Sequence, residues 1–219
     1  MDILYNSPPD WFFWASATFA CLLGAMSPGP SLALIVNHSL SQGKIAGLCA
    51  AVAHGLGIAL FAFVTAFGLV IAVDQNPLLF DIIQIFGSLF LLYMAVKLAL
   101  TPTRKETAIA VAVQSSNWTA ARDGFLIALV NPKILLFFTA LFSQFVRADS
   151  EAWEKLALTA IAGGVDAFWY ILVVLLLSQS GTIIKFQRNS WLLDKIFSLI
   201  LFVISIQFIV GIVQRADFV

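Results

Sequence analysis

Ser27-Pro28-Gly29-Pro30 interrupts the first long apolar stretch of the chain, and Asn131-Pro132-Lys133 interrupts the fourth. Proline lacks a backbone donor and displaces the carbonyl four residues earlier, so a helix cannot pass through it unchanged. Ser27 and Asn131 are residue types that cap helix N-termini, and each precedes a proline, which is favoured at the first helical position. Each stretch therefore predicts that one half-helix ends and another begins inside a hydrophobic segment.

The two interruptions occupy matching positions. Ser41-Gln42 follows Pro30 at the same distance as Ser143-Gln144 follows Pro132. Two ordinary proline kinks are the alternative, because membrane helices tolerate proline. The matched positions and the capping residues favour paired broken helices, which are the best sequence pointer to a transporter's binding site.

The composition indicates a membrane protein. Only 11% of the 219 residues are charged and 61% are hydrophobic, whereas a soluble domain carries about 25% charged residues. The formal net charge is zero, so no nucleic-acid partner is expected. The two cysteines lie in apolar runs, as small buried residues do, and His, Cys and carboxylate ligands are not clustered. We therefore expect no metal, no cofactor and no catalytic residues, and an enzyme is disfavoured.

Six segments are long enough to cross a bilayer core, which takes about 20 apolar residues. They are Trp11–Val36, Ile45–Val73, Leu78–Leu100, Arg122–Val146, Trp153–Ser178 and Trp191–Val213. The segments lack the alternation of barrel strands, and helices satisfy their own backbone in lipid. The sequence predicts an all-α membrane protein with six transmembrane helices, of which the first and fourth are interrupted at proline.

The chain divides into two halves of three spans each. Residues 1–100 form the first half and residues 122–219 the second, joined by the polar linker 101–121. Because three is an odd number, a duplicated half inserts upside down, as in the inverted repeats of many transporters. The sequence therefore predicts two inverted three-helix repeats.

The basic residues set the predicted orientation, because lysine and arginine concentrate on the cytoplasmic side. If the N-terminus faces out, the inward side holds Lys44, Lys97, Arg104, Lys105, Arg122, Lys185, Arg188 and Lys195. The outward side holds only Arg147, Lys155 and Arg215. Both termini are therefore predicted on the outer side, and the linker on the inner side.

Lys133 and Asp166 are charged residues that remain inside predicted spans. By helical rise, each lies about 16–18 Å from the inward end of its span, near the middle of the bilayer. A lone charge there costs about 2.5–3.5 kcal/mol or more, so we expect the two to pair or to share a ligand. A buried ion pair that only orients the helices is the alternative.

A binding site follows from the two half-helix starts, which the predicted topology turns toward each other. A helix N-terminus carries about half a positive charge and free N–H donors, so it binds carboxylates. The predicted substrate-binding residues are Ser27, Pro28, Gly29, Pro30, Asn131, Pro132, Lys133 and Asp166. In this hypothesis Lys133 receives a substrate carboxylate, and Asp166 receives the ammonium group or an exchanging proton.

His54 lies in the second span beside Gly55 and Gly57. A histidine at that depth can relay protons together with Asp166, and a neutral packing histidine is the alternative. The glycines, with Gly47, predict close helix approach either within one chain or between two chains. A homodimer therefore stays possible at this point.

The quoted motifs resemble those of the lysine exporter (LysE/RhtB) family of translocators. The resemblance rests on Ser27-Pro28-Gly29-Pro30, Ser41-Gln42-Gly43, Asn131-Pro132-Lys133, Ser143-Gln144-Phe145-Val146 and Val165-Asp166, and it extends over essentially the whole chain. Ser143 departs from the family pattern, which commonly has proline there, and so does His54.

The resemblance implies a proton-driven exporter of an amino acid or a similar small solute in the bacterial inner membrane. Its expected partners are the solute, protons and the lipid bilayer. A passive channel and a metal-ion exporter of the wider superfamily are the alternatives. The sequence does not identify the solute, because selectivity depends on the shape of the pocket.

Overall fold

The computed structural model describes residues 10–27, 29–100, 116–146, 150–177, 195, 198–199, 202–203 and 205–214. Regular structure within these residues is entirely helical. The helices are α1 (Asp10–Met26), α2 (Pro30–Gln42), α3 (Lys44–Gln75), α4 (Pro77–Leu100), α5 (Asn117–Val130), α6 (Pro132–Phe145), α7 (Ala152–Leu177) and α8 (Ser205–Gln214). The predicted all-α class is confirmed for the described part of the chain.

Both predicted interruptions are present. The axes of α1 and α2 differ by 63°, and those of α5 and α6 differ by 56°. Pro30 and Pro132 are the first residues of α2 and α6, where the missing N–H of proline costs no intrahelical bond. Pro28 lies outside the described residues.

The first half-helix does not begin where the sequence predicted. Ser27 is not the N-cap of α2: its N–H donates to the carbonyls of Leu23 and Gly24, so it closes α1. Gly29 is the N-cap, in an extended conformation. The reason is that a residue directly before proline is disfavoured in the helical region, so the second proline of the motif fixes the start at Pro30.

Contacts between helix ends give the helix directions. At one end of the molecule, Trp14 near the start of α1 lies 5.6 Å from Trp153 at the start of α7, measured between ring centroids. At the other end, His38 near the end of α2 lies 3.5 Å from Asp123 on α5. We call these the Trp14 end and the His38 end.

The second interrupted pair runs opposite to the first. Phe145, the last residue of α6, stacks edge-on against Phe13 on α1 at 5.4 Å, so α6 ends at the Trp14 end. The α1–α2 pair therefore runs from the Trp14 end to the His38 end, and the α5–α6 pair runs the reverse way. The two breaks lie between the ends.

Helices α3 and α7 cross through glycine. A Cβ atom on Gly55 would lie 2.7 Å from the carbonyl of Gly163 and 2.6 Å from the Ala167 methyl group. Reciprocally, a Cβ atom on Gly163 would lie 2.7 Å from the carbonyl of Gly55 and 2.6 Å from the Ala59 methyl group. Each helix thus presents glycine and, one turn later, alanine, and the backbones touch.

The glycine face of α3 packs within the chain. Gly47 is tight against Ser39 of α2, Gly55 against α7, and Gly57 against Ala128 and the Phe125 carbonyl of α5. The glycines that suggested a homodimer therefore make these close contacts within one chain. Large apolar side chains instead cover the outside of the bundle, for example Leu56, Phe86 and Phe168, as expected of a surface in lipid.

Two helical stretches are long and apolar enough to cross a membrane by themselves, Lys44–Leu69 and Ala152–Leu177. The number rises to four if each bent pair forms one span, and both numbers refer to the described residues only. The predicted six spans also include α4 and the segment 191–213, so six remains a prediction. Most of the predicted linker 101–121 lies outside the described residues.

Candidate functional site

The two helix breaks meet each other. Lys133, in the first turn of α6, donates from Nζ to the Ser27 hydroxyl at 2.6 Å and to the Ser27 carbonyl at 3.3 Å. The same ammonium group lies 3.5 Å from the position of a Cβ atom on Gly29. The predicted proximity of the interruptions therefore places one partly buried cation beside the start of α2.

Asn131 caps α6 as the sequence predicted. Its Oδ1 accepts from the backbone N–H of Lys133 at 3.1 Å, and its carbonyl accepts from Ile134 and Leu135. These bonds use the N–H donors of the first turn of α6. The first turn of α2 differs, because its N-cap Gly29 offers no side-chain acceptor. The α2 start is therefore the one with donors left for a ligand.

Replacing Asn131 with alanine removes this cap and should destabilise the protein by about 1 kcal/mol. The amide also donates from Nδ2 to the buried hydroxyl of Ser31 at 3.4 Å, so the loss extends to α2. Thermal unfolding in detergent measures the effect. Serine at 131 should restore part of the stability, and Asn117→Ala, at an exposed position, is the control. An unchanged melting temperature for N131A would contradict the cap assignment.

Asp166 is paired with His54. The histidine Nδ1 lies 2.6 Å from Asp166 Oδ2, and the side chains are only 1% and 5% exposed. The ring of Tyr170 packs edge-on against His54 with centroids 5.0 Å apart. His54 is therefore bonded directly to the buried acid, and a proton-relay role for it stays a prediction.

These groups line a common cavity. Its volume is about 30 Å³, which holds about two water molecules and is far too small for an amino acid. The site residues predicted from sequence that line it are Ser27, Gly29, Asn131, Lys133, His54 and Asp166. An amino acid would fit here only if the surrounding helices moved apart.

The geometry corrects two parts of the predicted site. Pro30 and Pro132 are exposed, so they fix helix starts and do not line the cavity. Lys133 and Asp166 were expected either to pair or to share a ligand. Asp166 pairs with His54 and Lys133 bonds Ser27. Both residues line the same cavity, and a ligand shared between them stays a prediction.

Sequence reasoning missed Ser31 and Tyr170. Ser31 accepts from Asn131, and Ser31 and Tyr170 line the same cavity. Tyr170 lies four residues after Asp166 and therefore on the same face of α7. That spacing was a usable signal, whereas nothing in the sequence paired Ser31 with α7.

Two further polar clusters lie toward the ends of the molecule. At the His38 end, Gln42 bonds His38 at 2.8 Å, and His38 in turn contacts Asp123 of α5. Toward the Trp14 end, Gln144 of α6 donates to the Gln84 carbonyl and the Ser88 hydroxyl of α4, each at 3.3 Å. These clusters contain the Gln of each Ser-Gln pair that the sequence placed after the breaks.

Comparison with known proteins identifies the family of the chain. The family model described as LysE type translocator matches residues 22–211. The uncharacterized membrane protein YahN of Escherichia coli (strain K12) is 25% identical over 191 residues, which cover 86% of each chain. The leucine efflux protein of Salmonella typhimurium is 26% identical over 136 residues, which cover 62% of each chain.

No solved structure matches the chain significantly. The family match spans both helix breaks, both members of the His54–Asp166 pair and Lys133, so it includes every described residue that lines the cavity. The resemblance that the motifs indicated is confirmed, and the chain is a membrane transporter. It belongs to the family of LysE type translocators.

Proposed function

We propose that the protein exports an amino acid across the bacterial inner membrane by alternating access, in exchange for protons. The observation that carries this proposal is a cavity whose lining includes both a cation and an acid. Lys133 and the start of α2 form the positive side, and Asp166 with His54 forms the negative side. The carboxylate and the ammonium group of a zwitterionic amino acid match the positive and the negative side, respectively.

The carboxylate of the solute belongs at the start of α2. The first-turn donors of α6 are bonded to Asn131, whereas α2 has no side-chain cap and has the Lys133 ammonium group beside it. A helix N-terminus and a cation together stabilise a carboxylate more than either one alone. In this proposal Ser27 holds Lys133 in place until the solute arrives.

The side chain of the solute would contact an apolar wall. Ile58, Phe137 and Phe138 line the cavity between its charged sides. Such a wall stabilises an aliphatic side chain by burying its surface. Because relatives carry the name leucine efflux protein, a neutral aliphatic amino acid, with leucine as the first candidate, is the proposed substrate.

Alternating access draws support from the opposed helix pairs. The reciprocal contacts of Gly55 and Gly163 are those that a two-fold axis between inverted repeats would produce. The His38–Gln42–Asp123 cluster and the Gln84–Ser88–Gln144 cluster then act as gates on opposite sides of the cavity. We propose that the His38 end is cytoplasmic, because Lys44, Lys97 and Arg122 lie there, and that the chain forms six spans with both termini outside.

Protons are proposed to exchange at the His54–Asp166 pair. Moving a net charge into a site of this burial is costly, so the pair favours states in which a proton or an ammonium group neutralises the acid. Release of the proton when the ammonium group binds, and the reverse, would couple export to the proton gradient. Both groups can exchange protons without further cofactors.

Everted inner-membrane vesicles test the proposal. If the chain exports leucine by proton exchange, respiring vesicles that contain it should accumulate radiolabelled L-leucine with saturable kinetics. An uncoupler should abolish the accumulation, and vesicles without the protein provide the baseline. Uptake that does not saturate and is unchanged by the uncoupler would indicate a channel. No uptake of any neutral amino acid would contradict the proposed substrate class.

A further inference from the structure

We propose that Nε2 of His54, rather than the carboxylate of Asp166, accepts the hydrogen bond from the ammonium group of the solute. Asp166 is then a positioning residue that acts through the histidine. This inference rests on the proposed function and deepens it, because it assigns the atom that distinguishes an amino acid from a plain carboxylic acid.

The hydrogen bond between the two residues fixes the roles of the ring nitrogens. When the ammonium group of the solute has replaced the exchanging proton, Asp166 is a carboxylate that can only accept, so Nδ1 of His54 is then the donor in the 2.6 Å bond to Asp166 Oδ2. In neutral imidazole the other nitrogen, Nε2, then carries the lone pair and is an acceptor. The carboxylate therefore sets which nitrogen is available.

Nε2 is the polar atom of this pair that still needs a partner. His54 is only 1% exposed, and no atom of the described residues hydrogen-bonds its Nε2. A buried acceptor without a partner is costly, by an amount comparable to a lost hydrogen bond. Since His54 lines the cavity, an occupant that offers an N–H donor removes this cost.

The surroundings favour an ammonium group over other donors. The Asp166 charge lies directly behind the ring, so positive charge at Nε2 is stabilised through it. Tyr170 packs against the ring and keeps its orientation. Lys133 lies on the cavity wall as well and is bonded to Ser27, so the carboxylate of the solute has its own partner away from the histidine.

Substituting asparagine or glutamine for His54 tests the roles of the two ring nitrogens separately. The amide of Asn can take the place of Nδ1 and bond Asp166, but it leaves nothing at the place of Nε2. The amide of Gln reaches the place of Nε2 instead. Asp166→Asn keeps an oxygen that accepts from His54 and removes the charge.

The test is equilibrium binding of radiolabelled L-leucine to the purified full chain in detergent, competed with isocaproate. Isocaproate has the carboxylate and the side chain of leucine and lacks the ammonium group. Wild type should prefer leucine, and His54→Asn should lower that preference by about 10- to 100-fold, the range for hydrogen bonds to charged groups. His54→Gln should keep most of it, Asp166→Asn should lose less of it than His54→Asn because the histidine acceptor remains, and melting temperatures verify folding.

The reverse pattern overturns the inference: preference lost in Asp166→Asn and kept in His54→Asn would make Asp166 the direct ligand. Equal preference in all variants would also overturn it, because neither side chain would then recognise the ammonium group. Absence of leucine binding in wild type is a distinct result. It appears before any substitution and contradicts the proposed substrate itself.

Discussion

Replacing Lys133 with alanine should lower leucine export at least about 30-fold, the largest functional effect expected of any substitution in this chain. Removing one member of a buried charge pair typically costs about 2–5 kcal/mol or more, which is about 30- to 5,000-fold at room temperature. The reason is specific to the site: without Lys133, a carboxylate at the α2 start loses its counter-charge inside lipid. Uptake into everted vesicles measures the effect.

Two variants separate binding from structure. Lys133→Arg keeps the charge and should recover part of the transport, although the broader guanidinium fits the Ser27 contacts less well. Lys44→Ala changes an exposed lysine at the His38 end and should behave as wild type. If K133A melts at a much lower temperature while its KM for leucine is unchanged, Lys133 only holds the two breaks together, and the assigned role is wrong.

Gly163→Leu should prevent folding, whereas Gly164→Leu, one residue along, should be tolerated. The first Cβ atom of a residue at 163 meets the Gly55 carbonyl at 2.7 Å and the Ala59 methyl group at 2.6 Å. The carbonyl belongs to the backbone of α3, and the methyl group is the whole side chain of Ala59. Neither can move aside unless the two helices separate. At Gly164 no atom lies within 4 Å of that position.

Overpacking of this kind costs about 1–3 kcal/mol for small additions, and Gly163→Ala should show it as a lower melting temperature. The bulkier leucine should leave little monodisperse protein in detergent. Fluorescence-detected size exclusion and thermal unfolding measure both effects. Equal yields and melting temperatures for G163L and G164L would mean that the α3–α7 crossing is not as close as described.

The same crossing explains how the His54–Asp166 pair of the proposed binding site forms. Gly55 follows His54 directly, and Gly163 precedes Asp166 by less than one turn, so the glycine contact brings the two polar side chains to hydrogen-bonding distance. A wider crossing would separate them. The fold and the chemistry of the site therefore depend on the same pair of glycines, and Gly163→Ala should weaken leucine binding as well as stability.

The sequence by itself determined the features that arise within a few residues. The helix breaks and the cap at Asn131 follow from the local constraints of proline and of short polar side chains. The common depth of Lys133 and Asp166 follows from counting the helical rise. The one local error concerns Ser27, because the motif offers two prolines and only the backbone shows which of them starts α2.

Tertiary structure alone decided which of these residues meet. His54 and Asp166 are 112 residues apart, and Lys133 and Ser27 are 106 apart. Helical rise gives each residue a depth, but the direction in which its side chain points depends on how the helix is rotated against its neighbours. That rotation is set by the close contacts of Gly55 with Gly163 and of Gly57 with α5. Packing therefore paired Asp166 with His54 and placed Lys133 against Ser27 on the wall of the same cavity.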